Sequence, residues 1–404
     1  MQRPSIIPGA GAIIAAVLAG SLLVACGSGS KPTTALATSP AAAAPSISCP
    51  SSASRKAEAV GIKTSVWLRS DAGTGPFDDL VNHARYICFA SPFAYRVDAG
   101  PQKLVSLLSA DQTAKLKEAQ HAGVQIMPTI VDTDAAGTWG HPEVAAGILR
   151  DPKVLIQQAV AVAMHEGYTG FDIDWESIPQ AASGAVGGWT SERVLELSPR
   201  FTAFVQKFAA ALHAHGKILS VSVISRTGVK DWEGAAFFDY HALGAAADQV
   251  RLMAYDEHWG TSPAGPTASL TFVHVRLDYA LTQIPPGKVW LGIPWYGYVY
   301  GSKRRDPSLT FSQAQAIVPD PGTVRRVGAE VTYTSAGMTV WFNDACSTEQ
   351  RMEDLAAWLK QNNLHASQIG GVAVYPIGDE SPQQWPALAG QPFNTADGCI
   401  GGVA

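Results

Sequence analysis

The stretch "TGFDIDWES", Thr169 to Ser177, sets Asp172, Asp174 and Glu176 at alternate positions of an otherwise apolar run. In an extended chain successive side chains point to opposite faces. Phe171, Ile173 and Trp175 therefore share one face and the three carboxylates share the other. Same-face neighbours lie about 6.5 Å apart along a strand, close enough for their titrations to couple, so some of the three are expected to hold protons at neutral pH. Such a row can raise the pKa of its end member, Glu176, into the range of a general acid. A solvent-facing strand of an antiparallel sheet would show the same alternation. The surrounding elements decide between the two.

From residue 60 onward, strand-like runs alternate with helical patterns. The runs are "GIKTSVWL", "RYICFASPF", "VQIMPTIV", "TGFDIDWE", "ILSVSVIS", "DQVRLMAYD", "KVWLGIPWYG" and "GGVAVYP", eight in all. Between them, "AKLKEAQHAG", "LIQQAVAVAMHEG" and "FVQKFAAALHAHG" each end with His near Gly, which supplies a left-handed helix cap. His121, His165, His213 and His215 read as helix-end residues rather than ligands, since a polar or cationic ring suits the negative end of the helix dipole. No HExxH or paired-Cys spacing is present, and no metal or organic cofactor is implied.

Eight strand–helix units over this length predict an α/β fold, a (β/α)8 TIM barrel. An open doubly wound sheet is disfavoured because the first strand leads into no Gly-rich phosphate loop. About 75 residues separate the seventh and eighth strands, too many for one crossover helix. Within them, "SLTFSQAQAIV", "EVTYTSAGM" and "TVWFNDA" predict a small α+β insertion over 298–345, between barrel strands 1–7 in 59–297 and the eighth strand with the C-terminal segment in 346–404.

The N-terminus has a different character. Arg3 precedes the apolar run "IIPGAGAIIAAVLAGSLLVAC", which has the charge and small residues of an export signal and is too short and Gly-rich for a comfortable membrane span. "LVAC" resembles the lipobox of bacterial lipoproteins. That resemblance implies a signal peptide over 1–25, lipidation of Cys26, and a membrane partner through the lipid anchor on the outer face of the cytoplasmic membrane; an ordinary signal peptide with a chance Cys is the alternative. Residues 26–58, rich in Gly, Ser, Thr, Ala and Pro, read as a flexible tether. An exported compartment permits disulfides among Cys49, Cys88, Cys346 and Cys399, with three pairings open and a buried free thiol possible for Cys88. The chain has 404 residues, of which 47% are hydrophobic, and a net charge of −5 without a basic tract, so a large core is expected and a nucleic-acid partner is not. Nothing suggests oligomerisation, and a monomer is expected.

Inside a barrel the carboxylates would face the axis, where each unpaired charge costs several kcal/mol, so a purely structural role is hard to sustain. They also approach a ligand from one side. A two-carboxylate retaining glycosidase needs its pair flanking the scissile bond about 5 to 5.5 Å apart, so no second protein nucleophile is evident.

Here the sequence resembles glycoside hydrolase family 18, chitinase-like barrels whose fourth strand carries DGxDxDxE. Gly170, Asp172, Asp174 and Glu176 match, and Thr169 stands where the family has its first Asp. "LMAYDEH" resembles the sixth-strand MxYD with Met253, Tyr255 and Asp256, and "LGIPWYG" the seventh-strand segment. "GGVAVYP" places Tyr375 where most members have Trp. The layout, with "VWFNDACS" and "YPIGDE", looks most like the spore-germination or cortex-lytic branch. The resemblance implies a hydrolase of β-linked N-acetylhexosamine glycans, peptidoglycan or chitin-like, working by substrate assistance with net retention. Glu176 would be the general acid/base, Asp174 would orient the acetamido group, Tyr255 would bond its carbonyl, Asp172 would tune Asp174, and Asp256 would contact the sugar. Met253 would line the same site. Trp67, Trp259, Trp295 and Tyr375 are candidate stacking platforms for sugar rings. A lectin-like barrel without turnover is the alternative.

Overall fold

Each of the eight apolar runs forms a barrel strand in the computed structural model, which describes residues 49, 62–101, 103–133, 141–182, 188–302, 304, 307–318 and 323–401. Cys26, the export segment 1–25 and all of the 26–58 tether except Cys49 lie outside the described residues. The strands are β1 (Thr64–Leu68), β2 (Phe89–Val97), β3 in two short segments (Gln125–Ile126 and Thr129–Val131), β4 (Gly170–Asp174), β5 (Ile218–Ile224), β6 (Gln249–Met253), β7 (Val289–Pro294) and β8 (Gly371–Ile377). All pair in parallel with their neighbours in chain order, and β1 pairs with both β2 and β8, which closes the sheet. This is the (β/α)8 barrel.

The helices cover the outside because their apolar stripes pack on outward-facing strand residues. Helix Ser191–His213 sends Phe204 and Phe208 inward, where they meet Trp175 and Phe171 of the carboxylate strand. His121, His165 and His213 occupy the last turns of their helices, and His215 lies just beyond the last of these. Gly167, at φ 69°, supplies the left-handed cap after His165. His213 Nε2 lies 2.8 Å from Asp248.

Both disulfides join distant segments: Cys49–Cys88 and Cys346–Cys399, with Cα separations of 4.8 and 5.5 Å. Cys88 is therefore bridged rather than a free thiol. It packs with Phe89, Ile218 and Trp290, at the N-terminal ends of β2, β5 and β7, and with Met127 between the two segments of β3, and Cys49 leans on that cluster. The chain thus enters the barrel at the base, opposite the C-terminal ends of the strands.

Between β7 and β8 lies a second, antiparallel sheet of five short strands, in the order Ser308–Leu309, Gly297–Tyr300, Met338–Phe342, Glu330–Ser335, Arg325–Val327, with helix Phe311–Ile317 against it. It has its own small core around Val299, Leu309, Val331, Val340 and Phe342. A buried ion pair ties it to the barrel. Glu330 accepts from the Thr267 and Ala268 amides at 2.8 and 2.7 Å, in the loop after β6, and meets Arg351 Nη2 at 2.6 Å on helix Ala345–Gln361. Burial pushes the Glu330 pKa up against the opposing pull of Arg351 and the two amides.

Removing one partner of a buried pair leaves the other charge uncompensated. Glu330→Ala is expected to cost about 3–5 kcal/mol in urea denaturation. A loss within about 1 kcal/mol, the range of an exposed pair, would show that the insertion does not depend on this anchor.

Candidate active site

The register of β4 fixes the site. Thr129 and Val131 of β3 sit beside Asp172 and Asp174, and Ser220 of β5 sits beside Asp172. On the outer face Trp175 stacks on Phe204 at 4.8 Å and Phe171 packs edge-on to Tyr95 and Tyr168. Phe171, Ile173 and Trp175 are at most 1% exposed. Burying an apolar side chain of this size contributes about 1.5–3 kcal/mol, and slipping the strand by one residue would exchange that gain for three carboxylates among helices. The apolar half of the pattern holds the acidic half on the axis.

Inside, Asp172 is fully buried and surrounded by donors. Its Oδ2 accepts from Trp67 Nε1 at 3.1 Å, Thr129 Oγ1 at 3.1 Å and Ser222 Oγ at 3.0 Å, and Arg251 Nη1 stands 4.0 Å away. Arg251 is itself 0% exposed and is held by Ser91 Oγ at 2.6 Å and by Gln249 Oε1. Burial lowers the Arg251 pKa and Asp172 opposes that shift. A guanidinium stays protonated in proteins, so this cation compensates the deepest carboxylate. Sequence reasoning missed Arg251. The available signal was a lone cation in the apolar run "QVRLMAYD".

One step up the strand, Asp174 is 1% exposed, and Glu176, 9% exposed, follows at the C-terminal end as the N-cap residue of the short helix Ser177–Ala181. Gln180 Nε2 donates to Glu176 Oε2 at 3.2 Å. A fourth carboxylate, also missed, sits just past the end of β3. Asp132 accepts from the Glu176 amide on Oδ1 and the Ser177 amide on Oδ2, both at 3.0 Å, and Ser177 Oγ donates to the Asp132 backbone carbonyl. Burial pushes Asp132 up to about 7, with the amide bonds pulling the other way and Glu176 adding to the rise. The clue was an acid directly after a barrel strand, where catalytic residues gather. Thr169, at the base of β4, donates to Gln125 Oε1 at 2.8 Å, so the position of the missing Asp still supports the strand from outside the acid row.

Facing the carboxylates is an aromatic cluster centred on Tyr375. It stacks on Tyr255 at 5.9 Å and Phe93 at 6.0 Å, and meets Trp67 and Tyr296 edge-on. Gly292 on β7 makes room for Tyr255, because a Cβ there would lie 2.9 Å from the Tyr255 ring. Asp256 adopts a left-handed backbone, φ 58°, and its Oδ1 accepts from Tyr296 at 2.5 Å and Tyr298 at 2.8 Å. Burial beside Asp256 raises both tyrosine pKa values, so both remain donors. Met253 lies two positions before Tyr255 and is 8% exposed. Trp259, half-buried in the following loop, donates its Nε1 to Thr261.

Two of the expected platforms do not stand in the mouth as platforms. Trp295 is 0% exposed and packs edge-on to Trp385 at 4.9 Å, because adjacent residues of an extended segment point oppositely and Tyr296 takes the inner side. Trp67 does face inward, but at 2% exposure its indole is committed to Asp172. Elsewhere, among the described residues, Asp79, His83 and Glu380 bring possible ligand atoms within 4.8 Å of one another. Glu380, which burial pushes up to about 7, already accepts from the Gly378 and Asp379 amides and from Trp385 Nε1, so its oxygens serve its own loop.

Comparison with known proteins agrees with this geometry. The family model described as Glycosyl hydrolases family 18 matches residues 79–380. The cortical fragment-lytic enzyme of Bacillus anthracis is 24% identical over 296 residues, 70% of this chain and 64% of that protein. The chain spans between 46% and 65% of the length of the curated relatives it matches. Among solved structures, the chitinase from Chromobacterium violaceum ATCC 12472 superposes with a TM-score of 0.65 at 23% identity, covering 82% of this chain and 98% of that one. The Bacillus cereus spore cortex-lytic enzyme SleL gives 0.66 at 21% identity, covering 83% and 75%. With a matched region of that extent, the chain belongs to family 18 of the glycosyl hydrolases.

Proposed function

We propose that the protein is a glycosidase that cleaves β-linked N-acetylhexosamine glycans, peptidoglycan strands or chitin-like oligomers, by substrate assistance with net retention. The observation that carries this reading is the row Asp172, Asp174, Glu176 on the inner face of β4, with Glu176 at the C-terminal mouth. All three approach from one side. The other two carboxylates of the region are held by protein donors: Asp132 accepts an amide on each oxygen, and Asp256 Oδ1 accepts two tyrosine hydroxyls.

Glu176 protonates the glycosidic oxygen while the sugar's own acetamido carbonyl attacks the anomeric carbon. Asp174 orients the acetamido group and stabilises the charge that develops on it. Tyr255 bonds the same carbonyl, Asp172 supports Asp174 from below, and Asp256 and Tyr375 contact the sugar. Deprotonated Glu176 then activates water. The names of the relatives, cortical fragment-lytic and cortex-lytic, favour a wall glycan, as does an exported location. A lipid on Cys26 would tether the barrel through the segment that ends at its base, where Cys49 is bridged to Cys88.

Mass spectrometry of products from N-acetylglucosamine oligomers and purified peptidoglycan, with wild type and Glu176→Gln, tests the reading. Gln keeps the shape but cannot donate the proton. Cleavage is expected to fall by roughly 100-fold or more in the variant. Binding of either glycan without cleavage, equal in both proteins, would make this a lectin-like barrel instead. Substrate assistance has its own test: an oligomer deacetylated at the sugar preceding the scissile bond should resist cleavage, and its hydrolysis at an undiminished rate would require a protein nucleophile.

A further inference from the structure

The two carboxylates that meet at the top of β3 and β4 are joined through the backbone. Asp132 grips the amides of residues 176 and 177 with separate oxygens, both at 3.0 Å, and Ser177 Oγ closes the ring on the Asp132 carbonyl. The residue is 1% exposed, and Val131 beside it is in register with Asp174. Those two amides open the helix Ser177–Ala181, whose Gln180 reaches back to the Glu176 carboxylate. The clamp therefore fixes both the backbone of Glu176 and the side chain that contacts its acid group.

We propose that Asp132 is a positioning residue for Glu176: its buried carboxyl group grips the amides of residues 176 and 177 and so locks the acid's backbone and the helix that carries Gln180. This rests on Glu176 being the acid/base. A purely structural clamp has a different signature, because it depends on the acceptor oxygens alone and leaves no mark on the pH profile of catalysis. Asn in place of Asp132 would keep one acceptor for an amide and lose the charge. It would also turn an NH2 toward the second amide, which no longer finds an acceptor. The titratable neighbour that acts on Asp132 is Glu176, across the clamp; Asp174, in register with Val131, is not among the groups that shift it. Burial and Glu176 together push Asp132 up to about 7, so its ionisation falls where the enzyme's pH profile can register it.

The folded pKa of Asp132 lies above its unfolded value, so the proton it holds stabilises the fold fully at low pH, and that contribution is lost as pH rises toward 7. The experiment compares wild type, Asp132→Asn and Glu176→Gln. In Asp132→Asn, kcat on N-acetylglucosamine oligomers or peptidoglycan is expected to drop about 10-fold or more with KM within threefold, and the limb of the pH profile near 7 should disappear. Its melting temperature relative to wild type should rise as pH goes from 5 to 8. Wild-type kcat and an unchanged pH profile in Asp132→Asn would reduce Asp132 to a structural clamp and overturn the proposal. Should Asp132→Asn fail to fold, Asp132→Ser, which retains an acceptor without charge, gives the same readouts. The Asp132 carboxyl carbon, followed by NMR, supplies a test that needs no turnover: it should titrate near 7 in wild type and lower in Glu176→Gln. Titration near 4 in both would also sink the proposal. If neither glycan is cut by wild type, the functional reading fails while this titration still decides the coupling.

Discussion

Three carboxyl groups on the inner face of β4 lose their water when the barrel closes, and the interior has to replace it. The structure does so unevenly. Asp172, the deepest, receives an indole, two hydroxyls and the nearby guanidinium of Arg251. A TIM-barrel interior is usually filled with branched apolar residues. Here Ser91, Thr129, Ser222, Gln249 and Arg251 form a polar layer instead, because an isolated carboxylate at that depth would cost several kcal/mol. The other two acids sit progressively closer to the mouth, where a substrate could reach them.

That polar layer is affordable only because its surroundings are rigid. The outer face of β4 is pinned by Phe204 and Phe208, and the base of the barrel is plugged by Phe89, Met127, Ile218 and Trp290 with the Cys49–Cys88 bridge against them. At the other end, the aromatic cluster of Tyr255, Tyr296 and Tyr375 forms a wall opposite the acids, and Glu330 of the insertion holds the loop after β6 through two amides. The insertion thus does more than extend the rim. It fixes the loop that carries Asp256 and Trp259.

Much of this was legible in order. The alternation in "TGFDIDWES" assigned inner and outer faces correctly, because strand periodicity is local, and eight runs with intervening helices pointed to the barrel. The helix-end histidines followed from Gly caps, a backbone property of short range. Less legible was which aromatic faces the mouth: Trp295 and Tyr296 are adjacent, and the face each takes depends on where β7 ends and the insertion begins.

By itself, then, the sequence determined the strand pattern, the row of acids and their order along β4, since these depend on the alternation of one extended segment. Only the tertiary structure decided what compensates those acids. Arg251 reaches Asp172 from β6, Trp67 from β1, and Asp132 reaches the Glu176 amide from β3, across separations of 79, 105 and 44 positions. The same holds for the cysteine pairing and for Glu330 with Arg351. Electrostatic compensation and cross-linking depend on distances in space, and chain closure sets those distances only when all eight strands are in register.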